Sequence, residues 1–334
     1  TAQFWDTAHR YLGHQLKVIR QVSSHTIDSY RDCLNSFIDY LERVENISRK
    51  KISFHNFGKE TIKRYQTWMI TEQGLAPKTC NLRLTAIRSF LEYAAQEYLW
   101  LMPVYTDACT IAGVKTPNHA IEYFEPDEMT ALLAAPSGIS KTDRRNQMML
   151  IFLYDTAARV AETRQVKVSD LHLNAGVPYV TLLGKGRKYR NIPLMEKTVL
   201  HLKRYLKDFH GSDPKTDLPL FYAKAHGLLH ELSSDTFEKM IKRYAAQCRE
   251  DGYPMPDHVH CHMIRKTRAM DLYREGVPLP HIQQLLGHEN ISTTSGFYAF
   301  ATLDVLAKAM ETVNPDNGVK SWSDPDILER LYRL

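Results

Sequence analysis

The sequence predicts a mainly α-helical protein with one small antiparallel β-sheet, divided into two domains. The chain has 334 residues, more than a single domain usually contains. Apolar residues recur at three- and four-residue steps over most of its length, which is typical of amphipathic helices. Residues 177–194 instead place strand-forming residues on both sides of a glycine-bearing turn, which predicts a β-hairpin.

The first hundred residues are predicted to be helical. An apolar stripe begins after Thr26, which we expect to be the N-cap of its helix. A second helix is predicted over 59–73 and a third over 77–97. The third has a polar face that is either solvated or laid across DNA phosphates. The candidate DNA contacts in this helix are Lys78, Asn81, Arg83 and Arg88.

The domain boundary is predicted from a stretch without periodicity. We expect the first domain to cover 1–102 and a linker to cover 103–120, which includes Gly113 and Pro117. A second domain, 121–313, opens at Pro126, where proline and the acidic residues beside it suit the start of a helix. Further helices are predicted over 144–154, after 198, over 234–249 and from 262 onward, and a tail is predicted over 314–334.

Composition narrows the classes of protein that fit. The net charge of +5 permits a nucleic-acid partner without requiring one. The five cysteines are scattered and form no C-x-x-C, which argues against a disulfide framework or a thiolate zinc cluster and favours a reducing compartment. No run of about 18 apolar residues occurs, so we expect no membrane span and a cytoplasmic location. Neither a metal nor a cofactor is expected.

Two segments of the second domain carry candidate catalytic cations. Arg159 is followed three residues later by Glu162, which in a helical turn would orient the guanidinium. A surface ion pair is the simpler interpretation, but the apolar run before it favours a buried turn. The hairpin turn GKGRKYR (184–190) contains Lys185, Arg187 and Lys188. These charges either protect an edge strand or place an ammonium in a DNA groove.

Three further candidates follow along the chain. His262 and Arg265 are one helical turn apart, so they lie on one helix face and would bind phosphate oxygens together. His258, His260 and His262 would instead share one face of a strand and suggest a metal site, although no second group of ligands is evident. His288 ends an apolar helix, and Tyr298 lies ten residues later among apolar residues typical of a core.

Together these residues supply every component of one reaction. A tyrosine hydroxyl is a poor nucleophile near neutral pH. It must lose its proton, and the negative charge of the phosphodiester that it attacks must be neutralised. Two arginines and a histidine would stabilise the pentacoordinate phosphorus, and a lysine would protonate the departing 5′-oxygen. The cationic side chains would do what a metal ion does in nucleases, so the pattern predicts phosphodiester cleavage by Tyr298.

These motifs in this order resemble the tyrosine recombinases of the phage-integrase and Xer type, over essentially the whole chain. The segments that carry the resemblance are TAARVAET (156–163), GKGRKYRNIPL (184–194), HMIR (262–265), LLGHENISTT (285–294) and, in the first domain, APKTCNLRLTAIRSFLEYA (76–94). The resemblance implies a DNA breaking–rejoining catalytic domain and a helical, SAM-like core-binding domain that close as a clamp on duplex DNA.

The resemblance also implies a role for each residue. Two arginines, Arg159 and Arg265, would clamp the scissile phosphate, and Lys185 would be the general acid. His262 would act as general base or proton relay, and His288 would donate a hydrogen bond to the phosphate. The remaining roles are the nucleophile Tyr298, the orienting carboxylate Glu162 and the DNA contacts Arg187, Lys188 and Lys266.

Three departures from the family pattern stand out. Lys266 occupies a position where many members have a second histidine. Alanine replaces the glycine of the arginine motif, at Ala158 or its neighbour. Tyr298 comes ten residues after His288, whereas nine is the commoner spacing, and Phe297 occupies the ninth position.

The implied function is site-specific integration or excision of mobile DNA, or resolution of chromosome dimers, through a 3′-phosphotyrosyl intermediate without metal or ATP. The implied partners are duplex DNA with inverted-repeat core sites and three further copies of the chain, and the implied location is the nucleoid. The tail, with Ile327, Leu328, Leu331 and Leu334, would dock either on its own domain or on another copy. A topoisomerase IB-like or resolvase activity and an inactive DNA-binding regulator remain as alternatives.

Overall fold

The computed structural model describes residues 1–117, 122–184, 188–212, 214–225 and 227–287. The chain forms two compact units, Thr1–His119 and Ala120–Leu334. Several predicted residues lie outside the described ranges, and for these the sequence predictions stand as made. They are Lys185, Arg187, His288, Tyr298 and the tail 314–334.

The first unit consists of helices, as predicted. Its long helices are α1 (Ala2–Arg10), which continues as a π-helical segment (Tyr11–Ile19), α2 (Ser24–Arg43), α3 (Lys59–Thr71), α4 (Pro77–Glu97) and α5 (Met102–Cys109). The start of α2 differs slightly from the prediction. Ser23 is the N-cap, because its hydroxyl accepts a hydrogen bond from the backbone N–H of Thr26.

Aromatic side chains fill the core of the first unit. Phe4, Phe37, Phe57 and Phe90 are each at most 2% exposed. Phe4 meets Phe90 edge to face with ring centroids 5.8 Å apart, and Phe37 lies 4.8 Å from Phe57. Such ring pairs contribute roughly 1 kcal/mol each beyond their burial. The core therefore ties α1, α2 and α4 to the loop before α3.

Helix α5 occupies the first part of the predicted linker. Its residues 102–109 pack on α4, and Ala108 is fully buried. Two side chains of α4 hold α5 and the residues after it. Arg88 donates to the backbone carbonyls of Ala108 and Ile111, and Asn81 exchanges two hydrogen bonds with the backbone of Val114, at 2.9 and 2.8 Å. The first part of the predicted linker is thus helical, and tertiary contacts rather than an apolar period hold it in place.

The second unit combines seven described helices with two small sheets. The helices are α6 (Pro126–Ala134), α7 (Lys141–Thr156), α8 (Val160–Gln165), α9 (Glu196–His210), α10 (Ser234–Glu250), α11 (Cys261–Arg274) and α12 (Leu279–Leu286). Helix α6 starts as predicted, with Pro126 in its first turn and a capping box between Glu125 and Glu128.

The predicted hairpin is present. Strands β1 (Leu171–His172), β2 (Tyr179–Leu183) and β3 (Tyr189–Pro193) form an antiparallel sheet in that order. Val180 lies opposite Ile192, and both are buried against the helical core. A second hairpin, β4 (Tyr222–Ala225) and β5 (Leu228–Glu231), was not predicted.

None of the helices in the described part of the chain is both long and apolar enough to cross a membrane.

Candidate active site

The Arg159 turn forms where α7 ends and α8 begins. Ala157, directly after α7, has a φ of 49° and is fully buried, and Arg159 is the N-cap of α8. The carboxylate of Glu162 accepts two hydrogen bonds from Arg159, one from its backbone N–H at 2.7 Å and one from its guanidinium at 2.8 Å. The predicted pairing is therefore present, and the capping box fixes the backbone that carries Arg159.

The left-handed conformation of Ala157 identifies the position of the glycine in the family's arginine motif. Glycine adopts positive φ freely, whereas an alanine there costs about 1 kcal/mol. The buried guanidinium of Arg265 donates to the carbonyl of Ala157 at 2.7 Å, which contributes to holding this conformation. The replaced glycine is thus at Ala157 and not at Ala158.

Glu162 is the centre of an arginine cluster. Its carboxylate is 4% exposed and accepts two parallel hydrogen bonds, both 2.8 Å long, from the guanidinium of Arg190 on β3. The guanidinium of Arg159 bonds the same carboxylate, and that of Arg265 approaches it to 4.0 Å. Burial alone raises the pKa of Glu162, but the bonds from Arg190 and from the backbone of Arg159 outweigh it and lower the pKa to about 2.

Arg265 is the most buried arginine of this cluster. Its guanidinium is 3% exposed and donates to the carbonyls of Ala157 and Leu286, at the ends of α7 and α12. A buried cation is stable only when its N–H groups have partners. These two carbonyls accept hydrogen bonds from the guanidinium and the carboxylate of Glu162, 4.0 Å away, balances its charge, so Arg265 connects three segments of the second unit.

His262 lies one turn before Arg265 on α11, as predicted. His262 is exposed, yet partial desolvation by the surrounding protein and the charges of Arg265 and Lys266 lower its pKa to about 4. The imidazole is therefore neutral at neutral pH and able to accept a proton. The alternative of three histidines on one strand face is wrong, because His262 is helical and His260 is the N-cap of α11.

A metal site does not form around these histidines within the described ranges. There, no three histidine, cysteine, aspartate or glutamate side chains cluster in a way that could hold a metal ion. None of the five cysteines, all within the described ranges, is paired in a disulfide.

Comparison with known proteins identifies the family. The family model described as "Phage integrase family" matches residues 122–302, and the one described as "Phage integrase, N-terminal SAM-like domain" matches residues 9–98. The chain belongs to the phage integrase family of tyrosine recombinases. It is 34% identical to the tyrosine recombinase XerD of Halalkalibacterium halodurans, over 84% of this chain and 89% of that protein.

Solved structures of tyrosine recombinases share the fold. The Tn1549 transposon integrase, in complex with transposon right end DNA, superposes with a TM-score of 0.69 at 19% identity and covers 91% of this chain and 98% of its own. A lambda integrase tetramer bound to a Holliday junction gives a TM-score of 0.63 at 17% identity, covering 88% and 76%. The mainly helical fold with small antiparallel sheets is thus the fold of tyrosine recombinases.

The three predicted catalytic residues that the structure describes lie close together. Arg159 and Arg265, from the start of α8 and from α11, both approach Glu162, and His262 lies one turn before Arg265, where the charges of both arginines help to lower its pKa. Two predicted DNA contacts lie near these elements: Lys266 follows Arg265 and is partly buried, and Lys188 is exposed beside β3. The roles of all these residues remain predictions.

The four predicted DNA contacts of the first unit differ in their surroundings. Lys78 is exposed at the start of α4. Asn81 and Arg88 bind backbone groups of their own unit, as described above. Arg83 is partly buried and lies near the Tyr65 hydroxyl. Its positive charge lowers the pKa of that hydroxyl, but burial has the larger effect, so the pKa is raised overall. Lys78 is therefore the residue of this set with the clearest access to a phosphate.

Sequence reasoning did not assign Arg190 to the site. A signal was present in the alternation of β3, because Arg190 and the buried Ile192 point to the same side of the strand. An arginine on the inward face of a strand requires a buried partner, and here the partner is Glu162.

The depressed pKa of Glu162 predicts how stability depends on pH. A carboxylate whose pKa is lower in the folded state stabilises the fold above its ordinary pKa, and this contribution is lost as the pH falls from about 4.5 towards 2. The loss should be on the order of 3 kcal/mol. Urea unfolding of the Glu162→Gln variant should therefore show a flatter pH dependence over this range than the wild type, and parallel curves would contradict the assignment.

Proposed function

We propose that this protein is a site-specific recombinase that cleaves and rejoins duplex DNA through a 3′-phosphotyrosyl bond at Tyr298. The observation that carries the proposal is that Arg159 and Arg265 meet at one buried carboxylate, with a neutral His262 one helical turn before Arg265. The cluster is strongly cationic, because three guanidiniums of Arg159, Arg190 and Arg265 surround the single charge of Glu162. The excess positive charge suits a bound phosphodiester.

The chemistry follows from the protonation states of these groups. The pKa of about 4 leaves His262 able to accept the proton of the Tyr298 hydroxyl as its oxygen attacks phosphorus. Two guanidiniums, of Arg159 and Arg265, would hold the non-bridging oxygens and stabilise the extra charge of the transition state. Lys185 would protonate the departing 5′-oxygen, and His288 would donate a hydrogen bond to the phosphate.

The bond balance explains why no energy source is needed. One phosphodiester to a deoxyribose oxygen is exchanged for one to the tyrosine oxygen, and a 5′-hydroxyl is released. Attack by the 5′-hydroxyl of a second strand reverses the step and restores the tyrosine. The charge that a divalent metal supplies in nucleases would come from the guanidiniums, so we expect cleavage in the absence of both metal and ATP.

The proposed substrate is duplex DNA with two inverted core sites. The first unit would contact phosphates through Lys78 and its neighbours on α4, and the second through Arg187, Lys188 and Lys266. A tetramer on two DNA sites is part of the proposal and is supported by the lambda integrase tetramer on a Holliday junction, which shares this fold. A protein acting on the chromosome in this way would be found with the nucleoid in the cytoplasm.

Covalent capture on DNA tests the proposal. Binding sites would first be selected from a random duplex library, and the recovered site would be built into a duplex nicked next to the cleavage position. The nick lets the short 5′-hydroxyl fragment diffuse away, so a protein–DNA adduct should accumulate that resists denaturation in detergent. We expect this adduct to form in EDTA and without ATP.

Two other results would overturn the proposal in distinct ways. Specific binding without any adduct would favour a DNA-binding regulator on a recombinase fold. Relaxation of supercoiled plasmids regardless of the selected site, with no joining of two DNA molecules, would favour a topoisomerase IB-like activity.

A further inference from the structure

Arg190 connects three segments that carry or adjoin candidate catalytic groups. Its guanidinium binds both carboxylate oxygens of Glu162 in the Arg159 turn, at 2.8 Å each. Its Nε donates to the carbonyl of Leu285 at 3.0 Å, at the end of α12. Arg190 itself lies on β3, the strand that leaves the basic hairpin turn. One side chain therefore links the Arg159 turn, strand β3 and the end of α12.

Two glycines of these motifs leave room for this guanidinium. A Cβ atom on Gly184, before the hairpin turn, would lie 3.2 Å from Nη1 of Arg190, and a Cβ on Gly287 would lie 3.1 Å from the same atom. Both distances are shorter than ordinary carbon–nitrogen contacts. The guanidinium thus lies between the backbones of two glycines, which have no side chains. Van der Waals contact with these backbones, as well as charge, therefore fixes its position.

The bond from Arg190 also decides how strongly Glu162 attracts the other arginines. A buried carboxylate with one partner would bind the nearest guanidinium with several of its N–H groups. Arg190 occupies both oxygens, and only one hydrogen bond from the Arg159 guanidinium is made to the carboxylate. Arg265 stays 4.0 Å away. The Arg159 side chain, which is 36% exposed, thus makes a single hydrogen bond to the carboxylate.

We propose that Arg190 is a positioning residue: it neutralises Glu162 with a two-pronged bond and holds the Arg159 turn, strand β3 and the end of α12 in one arrangement. It is 12% exposed and buried among protein groups, so it acts through its neighbours and does not touch the substrate. This inference rests on the proposed function, because the groups it positions are those that would hold and cleave the phosphodiester.

The test compares variants in single-turnover cleavage of the nicked substrate, with DNA affinity measured separately. Arg190→Ala should lower the cleavage rate constant about 10- to 100-fold, because misplacing a catalytic group by about an ångström has an effect of that size. DNA affinity should change by less than about threefold, because many other phosphate contacts determine it. Arg190→Lys should recover part of the rate, since an ammonium restores the charge without the two-pronged geometry.

The pH profile separates positioning from a purely structural effect. In the wild type the pKa of Glu162 is about 2, so its protonation does not affect cleavage above about pH 4. Without Arg190 burial should raise this pKa, and cleavage by Arg190→Ala should decline at mildly acidic pH, where the wild type does not. Arg190→Lys should keep the wild-type profile. In the combined variant Arg190→Ala with Glu162→Gln, the acidic decline should disappear.

Arg164→Ala is the matched control. Arg164 lies on α8 next to Thr163 and also donates to a backbone carbonyl, that of Leu232, but it has no bond to Glu162. Its replacement should leave the pH profile unchanged. A wild-type cleavage rate and profile in Arg190→Ala would overturn the inference while the proposed function stands. Failure of the wild-type protein itself to form an adduct would overturn the proposed function and this inference with it.

Discussion

Tyr298→Phe is expected to abolish covalent capture of the nicked substrate completely, while specific DNA binding remains. The variant lacks only the hydroxyl oxygen that would bond to phosphorus, so neither binding nor the arginine cluster should change. Detergent-resistant adducts would be quantified by gel electrophoresis, and the nucleotide-bearing peptide would be identified by mass spectrometry. Tyr332→Phe is the matched control, because Tyr332 is the only later tyrosine in the sequence, and it should form adducts as the wild type does.

The spacing between His288 and Tyr298 adds a second arm to this test. The ninth position after His288 is Phe297, where a tyrosine is commoner in the family. Exchanging the two residues, Phe297→Tyr with Tyr298→Phe, moves the hydroxyl by one position, about 100° around a helix. We expect this double variant to form no adduct. An adduct that persists in Tyr298→Phe alone would show that another residue is the nucleophile.

Arg265→Ala is expected to have the second-largest effect, on both cleavage and stability. Removing one preorganised donor to a transition-state oxygen costs at least about 100-fold in rate. The same change leaves the buried carbonyls of Ala157 and Leu286 without their donor and opens a cavity beside Glu162. Losing one partner of such a buried cluster costs about 3 kcal/mol in the free energy of unfolding. Cleavage kinetics and urea unfolding would be measured on the same preparation.

Arg159→Ala separates the two effects. The Arg159 side chain is partly exposed, and its hydrogen bond is to Glu162. An ion pair with a partly exposed partner contributes about 1 kcal/mol or less to the free energy of unfolding. Cleavage should therefore fall as far as in Arg265→Ala, with little loss of stability and with DNA affinity within about tenfold of the wild type. If Arg265→Ala abolished DNA binding together with cleavage, the proposed division between binding and catalysis would be wrong.

Much of the site was predictable because its parts are local in sequence. The pairs Arg159–Glu162 and His262–Arg265 are three residues apart, and a helical turn brings such residues to one face whatever surrounds them. The strand–turn–strand pattern of the hairpin and the apolar steps of the helices are likewise formed by residues close together in sequence. The helix over 102–109 was missed for the opposite reason, since Asn81 and Arg88 stabilise its end from a distance in sequence.

The sequence by itself determined the family, the helical class, the order of the catalytic motifs and the identity of the candidate nucleophile. The tertiary structure decided that Glu162 is shared by arginines from three elements, that Arg190 belongs to the site and that Ala157 is the residue held at positive φ. These features depend on contacts between residues 28 to 108 positions apart, which no local pattern encodes. The folded environment then sets the charge states of two groups: bonds from the arginines keep Glu162 ionised against the effect of burial, whereas burial and neighbouring cations together keep His262 neutral.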